Sequence, residues 1–417
     1  MKIAVYSHYY SPEIGAPSAR FQDLTREWIR HGDAVQVFTC VPNHPAGVIY
    51  PGYEKRWYQR EMLDGAEVHR VWTYVTPNKG FLKKSIGHVS FWPSAILASR
   101  KHLRETPDVF IGTSPTFFAA MAADHVARVR KRPFVMEVRD LWPALFIELG
   151  VLKNRTMIAM LEKLELSLYR HSSRVVTVTE SFRQDLIRRG VPDWKVKTIP
   201  NGADIDFWTD RGEGSALRAR LGIGDDELVV LYIGAHGISQ TLTSVLRAAA
   251  RLRDRRDVRF LFVGEGAEKE KLLAFAAQEK LANVTFIDPV GKDEVRAYYS
   301  LADVCLVPLR DIPLFSTFIP SKMFEILAMQ RPIIGSLRGE AAEILERSGG
   351  AMIVPPENDE ALADAIVRMH EMGAAARAAM GARGRDYVVA KYSRAALAAT
   401  YREVMSEAMT DFAAGHR

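Results

Sequence analysis

Short apolar runs alternate with segments of helical period along almost the whole chain. Ile3–Ser7, Ala34–Thr39, Val68–Thr73, Asp108–Gly112, Phe134–Val138 and Arg174–Val178 read as strands. The pattern restarts with Leu228–Gly234, Arg259–Gly264, Val284–Ile287, Val304–Pro308, Pro332–Gly335 and Met352–Val354. Ser18–Arg30, Met157–Tyr169 and Ser239–Arg253 carry their apolar residues at helical spacing. Nearly continuous apolar strands belong to parallel sheets covered on both faces, and their alternation with helices builds doubly wound α/β domains. Two series predict two Rossmann-like domains facing each other. Their expected bounds are residues 1–200 and 201–391, with a helical tail, 392–417, packing back on the first domain.

The joint falls at Ile199-Pro200-Asn201-Gly202-Ala203-Asp204, where Pro and Asn-Gly break both periods. Asp204-Ile205-Asp206 has the Asp-x-Asp form that holds a divalent metal in sugar transferases of another fold. No strand ends beside it here, so it reads as part of a hinge, and no metal ligand is assigned.

With 48% apolar and 25% charged residues the chain is of the soluble globular kind. The strand-like start at Met1–Tyr6 is no signal peptide, and no uncharged window reaches the roughly 18–20 residues of a membrane span. Cys40 and Cys305 each close an apolar run and read as free buried thiols. These features point to the cytoplasm. The net charge of +6 is unevenly spread: residues 1–200 carry 29 Lys and Arg against 19 Asp and Glu, a net +10. A basic half implies an anionic partner, such as a phosphorylated substrate or a membrane surface, or else a solvated basic face with none. No zinc spacing or nucleic-acid motif points to nucleic acid. Lys79–Ser85 leads into His88–Arg104, where Arg100, Lys101 and Arg104 mix with Phe91, Trp92, Ile96 and Leu97. That mixture suits a helix seated on an anionic bilayer at the inner face of the cytoplasmic membrane, and equally a core-packed helix with a wet basic face.

The segment Ile319–Ile334 carries the clearest chemistry. Pro320-Ser321 opens a helix with Ser321 as the expected N-cap, leaving backbone N–H groups near Lys322 and Met323 for a phosphate. Lys322 adds a point charge. Glu325 lies one turn on, on the face of Ser321, where a carboxylate can accept both hydroxyls of a ribose diol. A plain amphipathic helix with a solvated Glu–Lys pair fits the same spacing.

The order of strand, polar loop, "FIPSKMFEILAMQRPII", strand and "GEAAEIL" resembles the nucleotide-binding core of the family 4 glycosyltransferases. The resemblance implies the GT-B fold and a retaining, metal-independent transfer with a UDP-sugar as co-substrate and no cofactor. In that family two Glu residues with seven residues between them flank the donor. The second is Glu325; at the first stands Thr317, beside Ser316, at the donor sugar. The "PSK.FE" form is similar to a subgroup that includes WbuB-like L-fucosamine transferases of surface-polysaccharide assembly. Gln330 stands where the family usually has Gly, at a cost of about 1 kcal/mol if the position is left-handed.

Other stretches extend the resemblance over nearly the whole chain. Ser11–Arg20 is like the first loop, where Gly15 allows close approach of the donor diphosphate and Arg20 can face it. Pro42–Gly47 resembles a "PNYPGG" loop. Gly234-Ala235-His236-Gly237-Ile238-Ser239-Gln240 lacks the usual Arg and Lys, so backbone N–H groups near Gly237 would meet the phosphates, with Lys322, Arg20 or Arg139 as cations. Gly234, His236, Gly237 and Gln240 are the expected contacts there. Gly264-Glu265-Gly266 is like a "GEG" beside the nucleotide, and Val290 marks the segment that holds the base edge. Glu137-Val138-Arg139-Asp140 ends a strand, where α/β sheets bind ligands. Asp140 and Arg139, with Glu137, are the expected catalytic groups, although Arg139 and Asp140 could simply cap the next helix. The donor phosphate itself is the implied base.

The implied acceptor is polyprenyl-diphosphate-linked or a glycan, and the donor sugar a hexose, deoxy or N-acetylated. A nucleotide-sugar epimerase or hydrolase of the same fold and a non-catalytic nucleotide-sugar-binding protein are the alternatives. A nicotinamide dehydrogenase is poorly supported, because no complete Gly-x-Gly-x-x-Gly follows the first strand.

Overall fold

The computed structural model describes all residues except 14, 45, 77–80, 115, 116, 145, 146, 148–151, 416 and 417, with backbone alone at 16, 17, 81–85 and 314. It separates into two compact units, Met1–Pro200 with Arg394–Arg417, and Asn201–Ser393.

The first unit is built on an eight-stranded sheet. In chain order its strands are β1 (Lys2–Tyr6), β2 (Ala34–Cys40), β3 (Tyr58–Leu63), β4 (Ala66–Val71), β5 (Val109–Thr113), β6 (Phe134–Val138), β7 (Arg174–Thr177) and β8 (Val196–Thr198). In space they run β3-β4-β2-β1-β5-β6-β7-β8, all neighbours parallel except the β3–β4 hairpin. Two of these strands have no counterpart in the apolar pattern. β3 is a half-exposed edge strand without a continuous apolar run, and β8 has only three residues. The turn Asp64-Gly65 takes positive φ at both positions (53° and 85°), the geometry that two-residue hairpins favour.

The helix Arg394–Ala413 belongs to this unit. Leu397, Ala398, Tyr401, Val404, Met405 and Ala408 join the core of β1, β2 and β5, and the ring of Trp28 meets Tyr401 edge-on at 5.3 Å. Trp28 Nε1 donates to Ala398 O (3.2 Å), while Arg402 pairs with Asp33 (2.7 Å) and Arg394 with Asp23. The tail therefore closes the first core.

Phe81–His102 is one helix, and Phe91, Ala95, Ala98 and Ser99 are buried, with Ser99 Oγ 2.6 Å from Tyr6 Oη. Phe91 faces the core and is unavailable to lipid; Leu97, Arg100 and Lys101 are exposed. The lead-in Lys79–Ser85 lies outside the described side chains. No helix of the described residues is long and apolar enough to cross a membrane.

The second unit has six parallel strands: β9 (Leu228–Ile233), β10 (Val258–Val263), β11 (Val284–Ile287), β12 (Val304–Pro308), β13 (Ile333–Ser336) and β14 (Ala351–Val354), in the order β11-β10-β9-β12-β13-β14. One apolar cluster covers each face of this sheet. The strand order reverses between β9 and β12, and between β1 and β5 in the first unit. Ligands of doubly wound sheets bind beyond the carboxyl ends of the strands at such reversals, and the loops leaving β9 and β12 carry most of the residues singled out above.

Candidate functional site

Three loops of the second unit converge on a cradle made of backbone. β9 is followed by Gly234, whose φ of 138° is closed to other residues. A Cβ there would lie 2.5 Å from Lys322 Nζ. At Gly264 a Cβ would lie 2.0 Å from the carbonyl oxygen of Gly234, and at Gly266 one would lie 2.4 Å from that of His236. The loops after β9 and β10 thus pack chain against chain, tied by Gly234 N–H to Val263 O (2.9 Å) and His236 N–H to Glu265 O (2.8 Å). Lys269 fastens the rim, donating to Glu265 (2.9 Å) and Asp288 (2.8 Å). The Gln240 side chain folds back over Gly237, and Ser239 O accepts from Arg310 N (2.9 Å), joining this loop to the end of β12.

Lys322 and Glu325 come from the helix Lys322–Ala328, which Met323, Phe324, Ile326 and Leu327 anchor in the core. Lys322 Nζ donates to Ile233 O (2.8 Å) and stands 4.3 Å from the centre of the Tyr232 ring. Burial lowers its pKa to about 8, against the opposing pull of Glu325. One of three N–H donors is used, so two remain for a ligand. Glu325 is half-buried, and burial raises its pKa to about 7 despite Lys292 and Lys322. Among the described residues no hydrogen bond holds its carboxylate. The site therefore presents an ammonium and an unengaged carboxylate one turn apart.

Several expectations are corrected in detail. Ser321 precedes the helix with helical angles (φ −58°, ψ −30°) and makes no side-chain cap, because Pro320 O already accepts from Met323 N–H (3.1 Å). His236 turns its ring inward, wholly buried among Tyr232, Phe262 and Phe286, so the imidazole lines the interior of the unit. Ser316 and Thr317 lie in the single 3-10 turn Pro313–Thr317, where Ser316 Oγ donates to Pro313 O (2.6 Å). Val290 packs against the core. Gln330 is left-handed (φ 57°), as its place in the family pattern required. Asp204 accepts from Phe207 N–H (3.1 Å), capping a turn.

In the first unit Arg20 and Glu137 find each other across 117 residues. Arg20 meets Glu137 at 3.3 and 3.4 Å and donates to Pro200 O (2.7 Å) and Ile199 O (2.9 Å). Both side chains are buried, Glu137 completely, and Thr113 Oγ1 (3.4 Å) and Arg139 (4.0 Å) also approach Glu137. Arg20 is thus an internal clamp on the chain leaving β8, with its guanidinium engaged by Glu137 and by two backbone carbonyls. Glu137 is its counter-ion and cannot meet a substrate. Asp140 is half-buried; burial raises its pKa to about 6, with Arg139 opposing. Burial lowers Arg139 to about 10, although Glu137 beside it favours the charge. Ser114 Oγ accepts from the backbone N–H of Arg139 (2.9 Å) and Asp140 (3.4 Å), fixing the turn. Gly15 opens the helix Ala16–Arg30 at φ 144°.

Sequence reasoning missed Lys292 beside Glu325, two residues past Val290, and Gly339, whose φ is 76° and whose Cβ would lie 2.0 Å from Ser316 O. It also missed a pocket in the first unit lined by His8, Tyr9, Asn43, His44, Tyr74 and His88. The only signal for the pocket was the Pro42–Gly47 loop.

Two family models match most of the chain. Residues 15–202 match a glycosyl transferase 4-like domain, and residues 227–372 match glycosyl transferases group 1. The chain belongs to the family 4 glycosyltransferases. Over 375 residues this transferase is 29% identical to the protein named as colanic acid biosynthesis glycosyl transferase WcaI of Escherichia coli, covering 88% of this chain and 91% of that one. Its fold is that of GT-B structures. Sucrose-phosphate synthase of Thermosynechococcus elongatus superposes with a TM-score of 0.74 at 19% identity, covering 97% of this chain and 99% of that one. HepE of Anabaena in complex with UDP-glucose gives 0.72 at 16%, with the same coverage.

Proposed function

We propose that this transferase moves a hexose-type sugar, deoxy or N-acetylated, from a UDP-sugar to a lipid-linked or glycan acceptor in bacterial surface-polysaccharide synthesis, with retention and without a metal. The observation that carries the reading is the pairing of Lys322, seated on the Gly234–Gly264 cradle, with the unengaged carboxylate of Glu325 one turn on. The ammonium and the N–H groups near Gly237 meet the diphosphate, and Glu325 receives the ribose diol. Residues 201–391 then serve the donor and residues 1–200 the acceptor. The colanic acid role in the name of the relative WcaI supports the polysaccharide setting, and the UDP-glucose complex of HepE supports the base. The "PSK.FE" form favours the L-fucosamine subgroup.

In the transfer, the bond between the anomeric carbon and the β-phosphate oxygen breaks. The acceptor hydroxyl oxygen bonds to that carbon on the same face, and its proton passes to the departing phosphate oxygen. Lys322 offsets the charge that grows on the diphosphate, while Asp140 and Arg139 orient the acceptor. We place the enzyme in the cytoplasm, on the inner membrane face where an anionic bilayer presents a lipid-linked acceptor. Arg100 and Lys101 are the exposed cations available for that contact.

The test is Glu325→Ala with a screen of UDP-, GDP-, TDP- and ADP-sugars by thermal shift. A ligand at about 100 times its Kd stabilises by about 2.7 kcal/mol, enough to rank the bases. Unchanged turnover in Glu325→Ala would refute the ribose assignment, and loss of activity in EDTA would refute metal independence. Thr317, in place of a carboxylate, favours a second reading as a non-catalytic nucleotide-sugar-binding protein, which UDP-sugar binding without turnover would establish.

A further inference from the structure

In the second unit the ends of β10 and β11 are tied together by ion pairs beside the cradle. Gly264 N–H donates to Ile287 O (3.0 Å), so the loop Gly264–Gly266 and the segment Asp288–Lys292 leave the sheet side by side. Lys269, in the first turn of the helix Lys269–Gln278, bridges the two. Its Nζ donates to Glu265 Oε2 (2.9 Å) and to Asp288 Oδ1 (2.8 Å).

Stability alone does not account for the second of these pairs. The Lys269 side chain is 11% exposed, while that of Asp288 is 93% exposed. An ion pair that leaves its carboxylate in water adds little to folding. Asp288 is nevertheless fixed twice, by Lys269 and by Pro289, which confines the residue before it to extended backbone. An ammonium has three N–H donors and a carboxylate two acceptor oxygens. Among the described residues the third N–H of Lys269 and Oδ2 of Asp288 have no partner. Asp288, then Glu265, raises the pKa of Lys269, and Lys269 lowers that of Asp288, so both stay charged at neutral pH. The pair therefore offers a fixed donor with a fixed acceptor beside it.

The donor site decides what that pair can meet. Lys269 and Lys322 both act on the ring of His236, so they share one stretch of the sheet's carboxyl edge. Lys292, at the far end of the segment that Asp288 begins, is the cation whose charge acts most on Glu325. With phosphate at Lys322 and ribose at Glu325, the base extends along Asp288–Lys292 and turns its hydrogen-bonding edge to the pair. Uracil and guanine present a carbonyl oxygen beside a ring N–H, the complement of an ammonium beside a carboxylate. Cytosine and adenine reverse both positions, with an amino group beside a bare ring nitrogen. They would set donor against donor and acceptor against acceptor, and leave all of them unpaired.

We propose that Lys269 and Asp288 read the base of the donor, admitting one with a carbonyl beside a ring N–H and rejecting one with an amino group there. The proposal rests on the reading of Lys322 and Glu325 as the phosphate and ribose groups. Titration calorimetry of the full chain with UDP, CDP, GDP and ADP tests it, on the parent and on Asp288→Ala, Asp288→Asn and Glu325→Ala. The parent should bind UDP at least about tenfold more tightly than CDP, and GDP more tightly than ADP, each pair being matched in ring size. Asp288→Ala should weaken UDP and leave CDP unchanged, so that their ratio falls below about three. Asp288→Asn keeps its oxygen on Lys269 and turns an NH2 donor to the base, so CDP should gain at least about threefold while UDP loses. Because the Asp288 side chain stands in solvent, both variants should melt like the parent. Equal affinity of the parent within either matched pair would overturn the proposal. Equal losses of UDP and CDP in Asp288→Ala, the mark of a structural role, would also overturn it. Glu325→Ala separates the two readings, since loss of the ribose contact should weaken every diphosphate alike. If it weakens none while the base preference stands, the ribose assignment fails and the base-reading pair survives.

Discussion

Replacing Gly264 by Ala strikes the backbone cradle, the proposed donor site, at its tightest point. The added Cβ would lie 2.0 Å from Gly234 O, where side-chain carbons do not approach backbone within 3.0 Å, so the loops after β9 and β10 must part by about 1 Å. The φ of 142° adds backbone strain, of order 1–3 kcal/mol. Parting the loops shifts Gly234 and the Ile233 carbonyl that seats Lys322 Nζ at 2.8 Å. Placement errors of about 1 Å at a reacting centre can cost on the order of 100-fold in rate. We therefore expect a loss of about 2–3 kcal/mol in stability, a fall in melting temperature of roughly 4–12 °C, and UDP affinity weakened at least about tenfold. Gly291→Ala is the control, because a Cβ there meets nothing within 4 Å. Calorimetric melting and UDP titration on both variants decide the matter. If Gly264→Ala melts and binds UDP like Gly291→Ala, the cradle is not what this geometry implies.

Three further outcomes are expected. UDP affinity should follow a bell against pH: it rises as Glu325 loses its proton near pH 7 and falls as Lys322 loses its own near pH 8, because the diol needs the carboxylate and the phosphate needs the ammonium. Titration calorimetry of Glu325→Gln should lose the acidic limb alone. Arg20→Met should cost about 3 kcal/mol of stability by leaving buried Glu137 short of its partner, with UDP affinity of the folded protein unchanged; a weakened UDP titration at normal stability would return Arg20 to the diphosphate. Gln330→Gly should stabilise by about 1 kcal/mol in denaturant unfolding, since it relieves a left-handed residue at φ 57°.

The sequence by itself determined the two series of parallel strands, the helix that follows Pro320 and the roles open to Lys322 and Glu325. All of these depend on local period and on spacing within one turn. It also marked the positions reserved for glycine, and Gln330 as the exception. Tertiary structure decided what long-range partners do to individual side chains. Arg20 had the right place after the first strand to meet a phosphate, yet the sheet order brings β6 near and Glu137 captures the guanidinium. Within reach of a buried carboxylate, a cation is held there more strongly than by solvent or a distant ligand. His236 lies in the right loop, but three aromatic residues from β9, β10 and β11 enclose its ring. The pocket of His8, His44 and His88 was invisible because its walls come from four separate stretches of chain. Spacing shows which residues share a face; only the order of strands shows what that face meets.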